Sequence, residues 1–135
     1  MQKIIVVGNG MVGYKFCEKF VAKETNKNFS ITVFGEEPRP AYDRVHLSEY
    51  FENKDAKRLE MAPRSWYEEY GIELITDTRV TDISRSLKTI TTANDNKYDY
   101  DYLVLATGSS AFVPPIKGIE KEGVFVYRTI EDLDD

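Results

Sequence analysis

The chain has one cysteine, Cys17, and one histidine, His46, among its 135 residues. A lone cysteine excludes an internal disulfide framework and any CxxC redox or zinc pattern, and it fits a reducing compartment. With a single histidine beside it, no metal site follows from the ligand types available. Long apolar runs are missing as well. Ile4, Ile5, Val6 and Val7 stand together only until Gly8, too short a stretch for a signal-peptide core or a membrane span. Basic tracts are equally scarce: 18 lysines and arginines face 23 acidic residues, for a net charge of −5. Neither nucleic acid nor a membrane is an expected partner, and the chain, starting at Met1, is expected in the cytoplasm.

What is present suffices for one globular domain. A 41% apolar content with 13% aromatics can fill a core, and a chain of this length buries roughly two-thirds of its unfolded surface. Lys3 to Val7 is a short β-branched run bounded by glycine, the pattern of a strand buried on both faces. Val12, Phe16 and Phe20, with Cys17 and Val21 beside them, recur at helical spacing and predict one buried face of a helix that frays over Thr25 to Asn28. Ile31 to Phe34 predicts a second strand, completing a βαβ unit. Gly35 to about Pro63 has no long periodicity and reads as a long loop with one helical turn near Leu47 to Phe51. A short helix then starts at Pro63, carries Trp66, Tyr67 and Tyr70, and stops at Gly71. Ile72 to Ile75 is a third strand. Val80 to Ile83, Thr89 to Thr92 and Lys97 to Tyr100 predict an antiparallel meander. Leu103 to Ala106 is another buried strand, and Val124 to Tyr127 a last short one. Tyr98, Tyr100 and Tyr102 alternate with Asp99 and Asp101 as in an ordinary half-buried strand.

The strongest chemical signal is Gly8-Asn9-Gly10-Met11-Val12-Gly13, a GxGxxG where a strand turns into a helix. In such a turn Gly8 permits the tight bend, Gly10 lets a pyrophosphate approach the backbone, and Gly13 lets helix and strand pack closely. The helix N-terminus then faces the anion. Glu36 lies 23 residues past Gly13, just beyond the second strand, where a carboxylate accepts hydrogen bonds from an adenosine ribose. This fingerprint does not separate NAD from FAD. The long loop, the meander and the Ala106-Thr107-Gly108 turn at a strand end favour FAD, because that layout resembles the FAD half of the two-dinucleotide flavoprotein reductases.

A narrower resemblance is carried by Glu36-Glu37-Pro38-Arg39-Pro40-Ala41-Tyr42-Asp43-Arg44-Val45-His46-Leu47-Ser48, by the glycine fingerprint, by Val113-Pro114-Pro115-Ile116-Lys117-Gly118 and by Phe125 to Leu133. Over nearly its whole length the chain resembles the N-terminal part of the NAD(P)H-dependent nitrite reductase large subunits, in the pyridine nucleotide-disulfide oxidoreductase superfamily. The resemblance implies an α/β fold: a Rossmann-like parallel sheet with its βαβ fingerprint, an antiparallel meander, and an FAD domain left incomplete. Residues 1–128 would be the first segment of that domain and 129–135 the start of a helix leading to an NAD-binding domain. A later segment of the longer chain would complete the flavin site.

Within the resemblance the FAD-binding set is Gly8, Asn9, Gly10, Met11, Val12, Gly13, Glu36, Glu37, Arg44, Val80, Ala106, Thr107 and Gly108. No side chain is assigned as catalytic and no metal is expected on this chain. In the full-length protein NAD(P)H would reduce FAD, and electrons would pass through an iron-sulfur cluster and sirohaem to nitrite, yielding ammonium. Implied partners are the remaining domains of the same chain and a small nitrite reductase subunit. Alternatives are a rubredoxin or ferredoxin reductase, an NADH oxidase-like flavoprotein, or a non-catalytic nucleotide-binding module.

Arg44 is read as a contact to the flavin phosphates or ring, because a planar guanidinium pairs with phosphate oxygens and the loop match favours it; the alternative is a surface ion pair with Glu or Asp. His46 either approaches the flavin ring or sits in a polar loop. Glu49 stands where some ferredoxin-linked relatives carry a flavin-contacting lysine. Tyr42 to Phe51 contains no cysteine, unlike the disulfide reductases, and Cys17 reads as a core residue. Thr129 with Asp132 is the signature of a helix start.

Overall fold

A computed structural model describes residues 1–23 and 28–134. β1 (Gln2–Val7), α1 (Met11–Lys23) and β2 (Phe29–Phe34) form the expected unit, with β1 and β2 parallel, Ile4 opposite Ile31 and Val6 opposite Val33. β3 (Ile72–Ile75) adds beside β2 and β7 (Tyr102–Leu105) beside β1, so the parallel sheet runs β3-β2-β1-β7. Successive side chains leave opposite faces of the sheet. Ile4, Val6, Ile31, Val33 and Ile72 pack against Tyr14 and Cys17 of α1 and Tyr67 of α3 (Arg64–Glu69). Ile5 and Phe34 meet Ile90 and Tyr100 on the other side. Both faces of β1 and β2 are covered at their centres, which is why those strands read as short, mostly β-branched apolar runs.

The second cover is the antiparallel meander of β4 (Val80–Ser84), β5 (Thr89–Thr92) and β6 (Lys97–Asp99). The tyrosine run divides at this point. Tyr98 and Tyr100 pack into the core between meander and parallel sheet, while Tyr102 opens β7 in the other sheet and is 53% exposed. It is not one strand, because Asp101 bends the chain and both its amide and its carboxylate bond to Lys3.

Two further expectations need correction. Val12 is 71% exposed, and the buried seam of α1 is Gly13, Tyr14 and Cys17, with Phe16, Phe20 and Val21 at its margins. The seam is turned by about one residue because the close approach of Gly13 to the strand turn sets which face meets the sheet. Val124 to Tyr127 forms no strand; these residues are exposed and pair with no described strand, so a β-branched run alone did not create a ladder. The fraying expected over Thr25 to Asn28 lies, apart from Asn28, outside the described residues.

The segment read as a long loop is more ordered than its composition suggested. Arg44–Glu49 and Ala56–Leu59 are 3-10 turns flanking α2 (Tyr50–Asn53), and Asp43 and Asp55 cap them by accepting from Val45 N at 2.9 Å and Lys57 N at 3.1 Å. Tyr42, Leu47, Tyr50 and Leu59 form a second core with Ile130 and Leu133 of α4 (Ile130–Asp134). α4 begins with the predicted capping arrangement: Thr129 N donates to Asp132 Oδ2 at 2.8 Å, and Asp132 N donates to Thr129 Oγ1 at 3.1 Å. No described helix is long and apolar enough to cross a membrane.

Candidate functional site

The parallel strand order puts two chain reversals side by side at the C-terminal edge of the sheet. β1 ends in the glycine turn and β7 in Ala106-Thr107-Gly108. At Gly8, with φ of 109°, a β-carbon would lie 2.1 Å from the Ala106 carbonyl oxygen, so the two turns touch through backbone. A β-carbon on Gly13 would lie 2.2 Å from Gly8 O, which holds the first turn of α1 against the same bend. Gly10 differs: a β-carbon there would meet nothing within 4 Å. Its space opens into a cleft of ≈ 520 Å³, within the size range of ligand sites.

Every residue assigned to the cofactor from the sequence lines this cleft except Gly13, which lies beneath it. Glu36 stands on the rim, its side chain 70% exposed, with the Arg79 Nε 3.6 Å away. Glu37, its neighbour, is spent internally. It accepts from Tyr42 Oη at 2.5 Å and from Arg44 Nη2 at 2.5 Å. The strand end presents adjacent residues differently, leaving Glu36 available to a ligand and committing Glu37 to the loop. Arg44 therefore combines both expectations, lining the cleft while forming an ion pair.

Two buried side-chain nitrogens have no partner among the described residues, Asn9 Nδ2 and Arg39 Nε, and both belong to residues that line the cleft. Asn9 Oδ1 accepts from Tyr67 Oη at 3.3 Å, which ties the glycine turn to α3; burial pushes that phenol up to about 12. The cleft has guanidinium groups, open space over a glycine backbone, a helix N-terminus and a rim carboxylate. These suit a ligand with a diphosphate and a ribose.

Arg128 was missed. It lines the cleft, donates from Nε to Ser109 O at 3.2 Å, and its backbone carbonyl accepts from Arg44 Nη1 at 2.9 Å. Its only sequence signal was membership of the Phe125 to Leu133 segment. Arg39, Thr78 and the Ser109 to Ala111 backbone also line the cleft without having been singled out.

His46 is not brought to the cleft. It is exposed and pairs through Nδ1 with Asp43 Oδ2 at 2.6 Å, a contact that raises the imidazole above its ordinary value and lowers the carboxylate. Cys17 is fully buried, and burial pushes its thiol up to about 12, the setting of a core thiol and not of an activated nucleophile. The described residues contain no cluster of metal-ligating side chains.

The sequence and the fold have counterparts among known proteins. Residues 2–135 match the pyridine nucleotide-disulphide oxidoreductase family. The chain is 47% identical over 131 residues to the nitrite reductase (NADH) large subunit of Escherichia coli (strain K12), covering 97% of this chain and 16% of that protein. It is 39% identical over 134 residues to the nitrite reductase [NAD(P)H] of Bacillus subtilis (strain 168), again covering 98% of the chain and 16% of the relative. Among solved structures, the NADH:rubredoxin oxidoreductase from Clostridium acetobutylicum superposes with a TM-score of 0.86 at 26% identity, over 97% of this chain and 33% of that one. The chain thus spans about a sixth of the length of these curated relatives.

Proposed function

Because the chain belongs to the pyridine nucleotide-disulphide oxidoreductase family, we propose that it is the first FAD-binding segment of an NAD(P)H-dependent nitrite reductase. The observation that carries this reading is the cleft itself, in which the Gly8 turn, the Ala106 to Gly108 turn, Glu36, Arg44 and Val80 converge although they lie far apart in sequence. Gly10 leaves the path for the diphosphate, Glu36 accepts from the adenosine ribose, and Arg44 with Arg128 provides cationic charge. Met11, Val12 and Val80 give apolar walls. FAD, once bound, supplies the chemistry of accepting two electrons as hydride and passing them on singly. The residues of this chain bind, orient and shield it, and none acts as a general acid or base.

Residues 1–128 are read as the first part of the flavin domain and 129–135 as the start of the connection to an NAD-binding domain. Support comes from the uncovered edge of β7, where Leu105 is 59% exposed, and from exposed apolar side chains at Phe112, Ile116 and Phe125. An all-parallel sheet is normally covered. Transfer onward to nitrite through an iron-sulfur cluster and sirohaem, and a small partner subunit, belong to the longer protein that the relatives imply. A cytoplasmic setting fits the inert single thiol. Titration with FAD and NAD, followed by flavin fluorescence and calorimetry, tests the reading: FAD is expected to bind more tightly, and a preference for NAD overturns it in favour of a simple nucleotide-binding module.

A further inference from the structure

Arg44 is held in one orientation by a phenol. Tyr42 is 3% exposed, its oxygen donates to Glu37 Oε1 at 2.5 Å and accepts from Arg44 Nη1 at 2.7 Å, and its ring centroid lies 4.7 Å from the guanidinium carbon. The other Nη1 hydrogen goes to Arg128 O, and one Nη2 hydrogen goes to Glu37 Oε2. A guanidinium has five N–H donors, so three are spent and two are left. The same Glu37 carboxylate that takes the Nη2 hydrogen also holds the phenol bonded to Nη1, so it sits at the Nη1–Nη2 end. The free pair is therefore Nε–H and the second Nη2–H, which point from one edge of the plane; neither has a partner among the described residues. Two parallel N–H groups on one edge match two oxygens of a phosphate.

We propose that Tyr42 is a positioning residue for nucleotide binding: its hydroxyl, bridging Glu37 and Arg44, fixes the guanidinium so that the Nε–Nη2 edge is offered to a diphosphate oxygen pair in the cleft. This rests on the reading of the cleft as a dinucleotide site. Without the bridge, Glu37 is free to take both ends of the guanidinium as a bidentate partner and turn that edge away.

The experiment is a double-mutant cycle on the 135-residue chain with FAD as probe and the thermal midpoint of each variant recorded. Tyr42→Phe keeps the ring and removes the bridge, and is expected to weaken FAD binding about tenfold, the scale of one charge-assisted hydrogen bond. Arg44→Met is expected to weaken it further, and adding Tyr42→Phe to Arg44→Met is expected to change nothing more. Because the site lacks its later segment, weak binding is expected of the unaltered chain. A complete absence of binding at the highest soluble FAD concentration, or equal affinity in Arg44→Met, overturns the reading of the site and the proposal with it. Weakened binding in Arg44→Met with unchanged binding in Tyr42→Phe overturns the proposal alone. A loss from Tyr42→Phe that persists in the Arg44→Met background also overturns it, because the phenol then acts through the fold. If Tyr42→Phe does not fold, the unaltered chain still decides: the Arg44 Nε–H NMR resonance is expected to shift on adding FAD, and a fixed resonance rejects the proposal.

Discussion

A β-carbon on Gly10 would meet no atom within 4 Å, whereas one on Gly8 would lie 2.1 Å from a backbone oxygen. Two glycines of one motif thus sit differently: Gly8 is required by chain packing, and Gly10 opens onto the cleft. Gly10 also accepts from Tyr14 N at 3.0 Å, which makes it the cap residue of α1. Gly10→Val should therefore cost the fold only about 1 kcal/mol, the scale of a poorer cap, while abolishing FAD binding by filling the path to the backbone. Urea unfolding and flavin titration on the same variant separate the two effects, and unaltered affinity contradicts the assignment. Glu36 tests the other end of the ligand. Glu36→Ala removes a rim acceptor and should weaken FAD by about 1–3 kcal/mol. FMN lacks the adenosine half, so its weaker binding should be unchanged; an equal loss for FMN would mean that Glu36 supports the fold.

The segment between β2 and α3 is where local patterning was least informative. Its 3-10 turns and α2 are too short to show periodicity, and they are held by contacts with residues more than 80 positions away: Tyr50 Oη donates to Asp134 at 2.6 Å, Arg39 pairs with Glu131, and Leu47 packs in one cluster with Ile130 and Leu133. Asp132 is the keystone of that attachment, since it accepts from the backbone amides of Arg128 and Thr129. Asp132→Ala leaves two amides without their acceptor. We expect a stability loss of about 1–2 kcal/mol by denaturant titration, with faster hydrogen exchange at Asp43 N and Met61 N, which close the loop onto itself. Unchanged exchange at those two amides would show that α4 does not hold the loop.

For the molecule as a whole, Cys17 is a reporter placed by the sequence. It sits in the core between α1 and the sheet, fully buried, with its thiol raised to about 12. A thiol reagent should leave the native chain unmodified, and labelling should follow global opening rather than local fraying. Adding FAD should slow that labelling in proportion to occupancy of the cleft, because a ligand that binds only the folded chain lowers the open population. Rapid labelling of the folded chain contradicts the packing described above.

The amino-acid sequence by itself determined most of the strands, the glycine turn and the meander, because each leaves a mark at short range: runs of apolar side chains for strands buried on both faces, glycine where a β-carbon would collide, alternation where one face is covered. The family resemblance was legible for the same reason, since its motifs are contiguous. Only the tertiary structure decided which turns meet. Placing β7 next to β1 brings Ala106 and Thr107 against Gly8, and that pairing has no local signature. The same holds for the division of labour between Glu36 and Glu37, the outward turn of His46, the place of Arg128 in the cleft, and the failure of Val124 to Tyr127 to become a strand. Arg128 depends on partners distant in sequence, while the Glu37 and His46 contacts, although within seven residues, are set by how the loop folds; a side chain's local pattern records how it is buried but not what it is buried against.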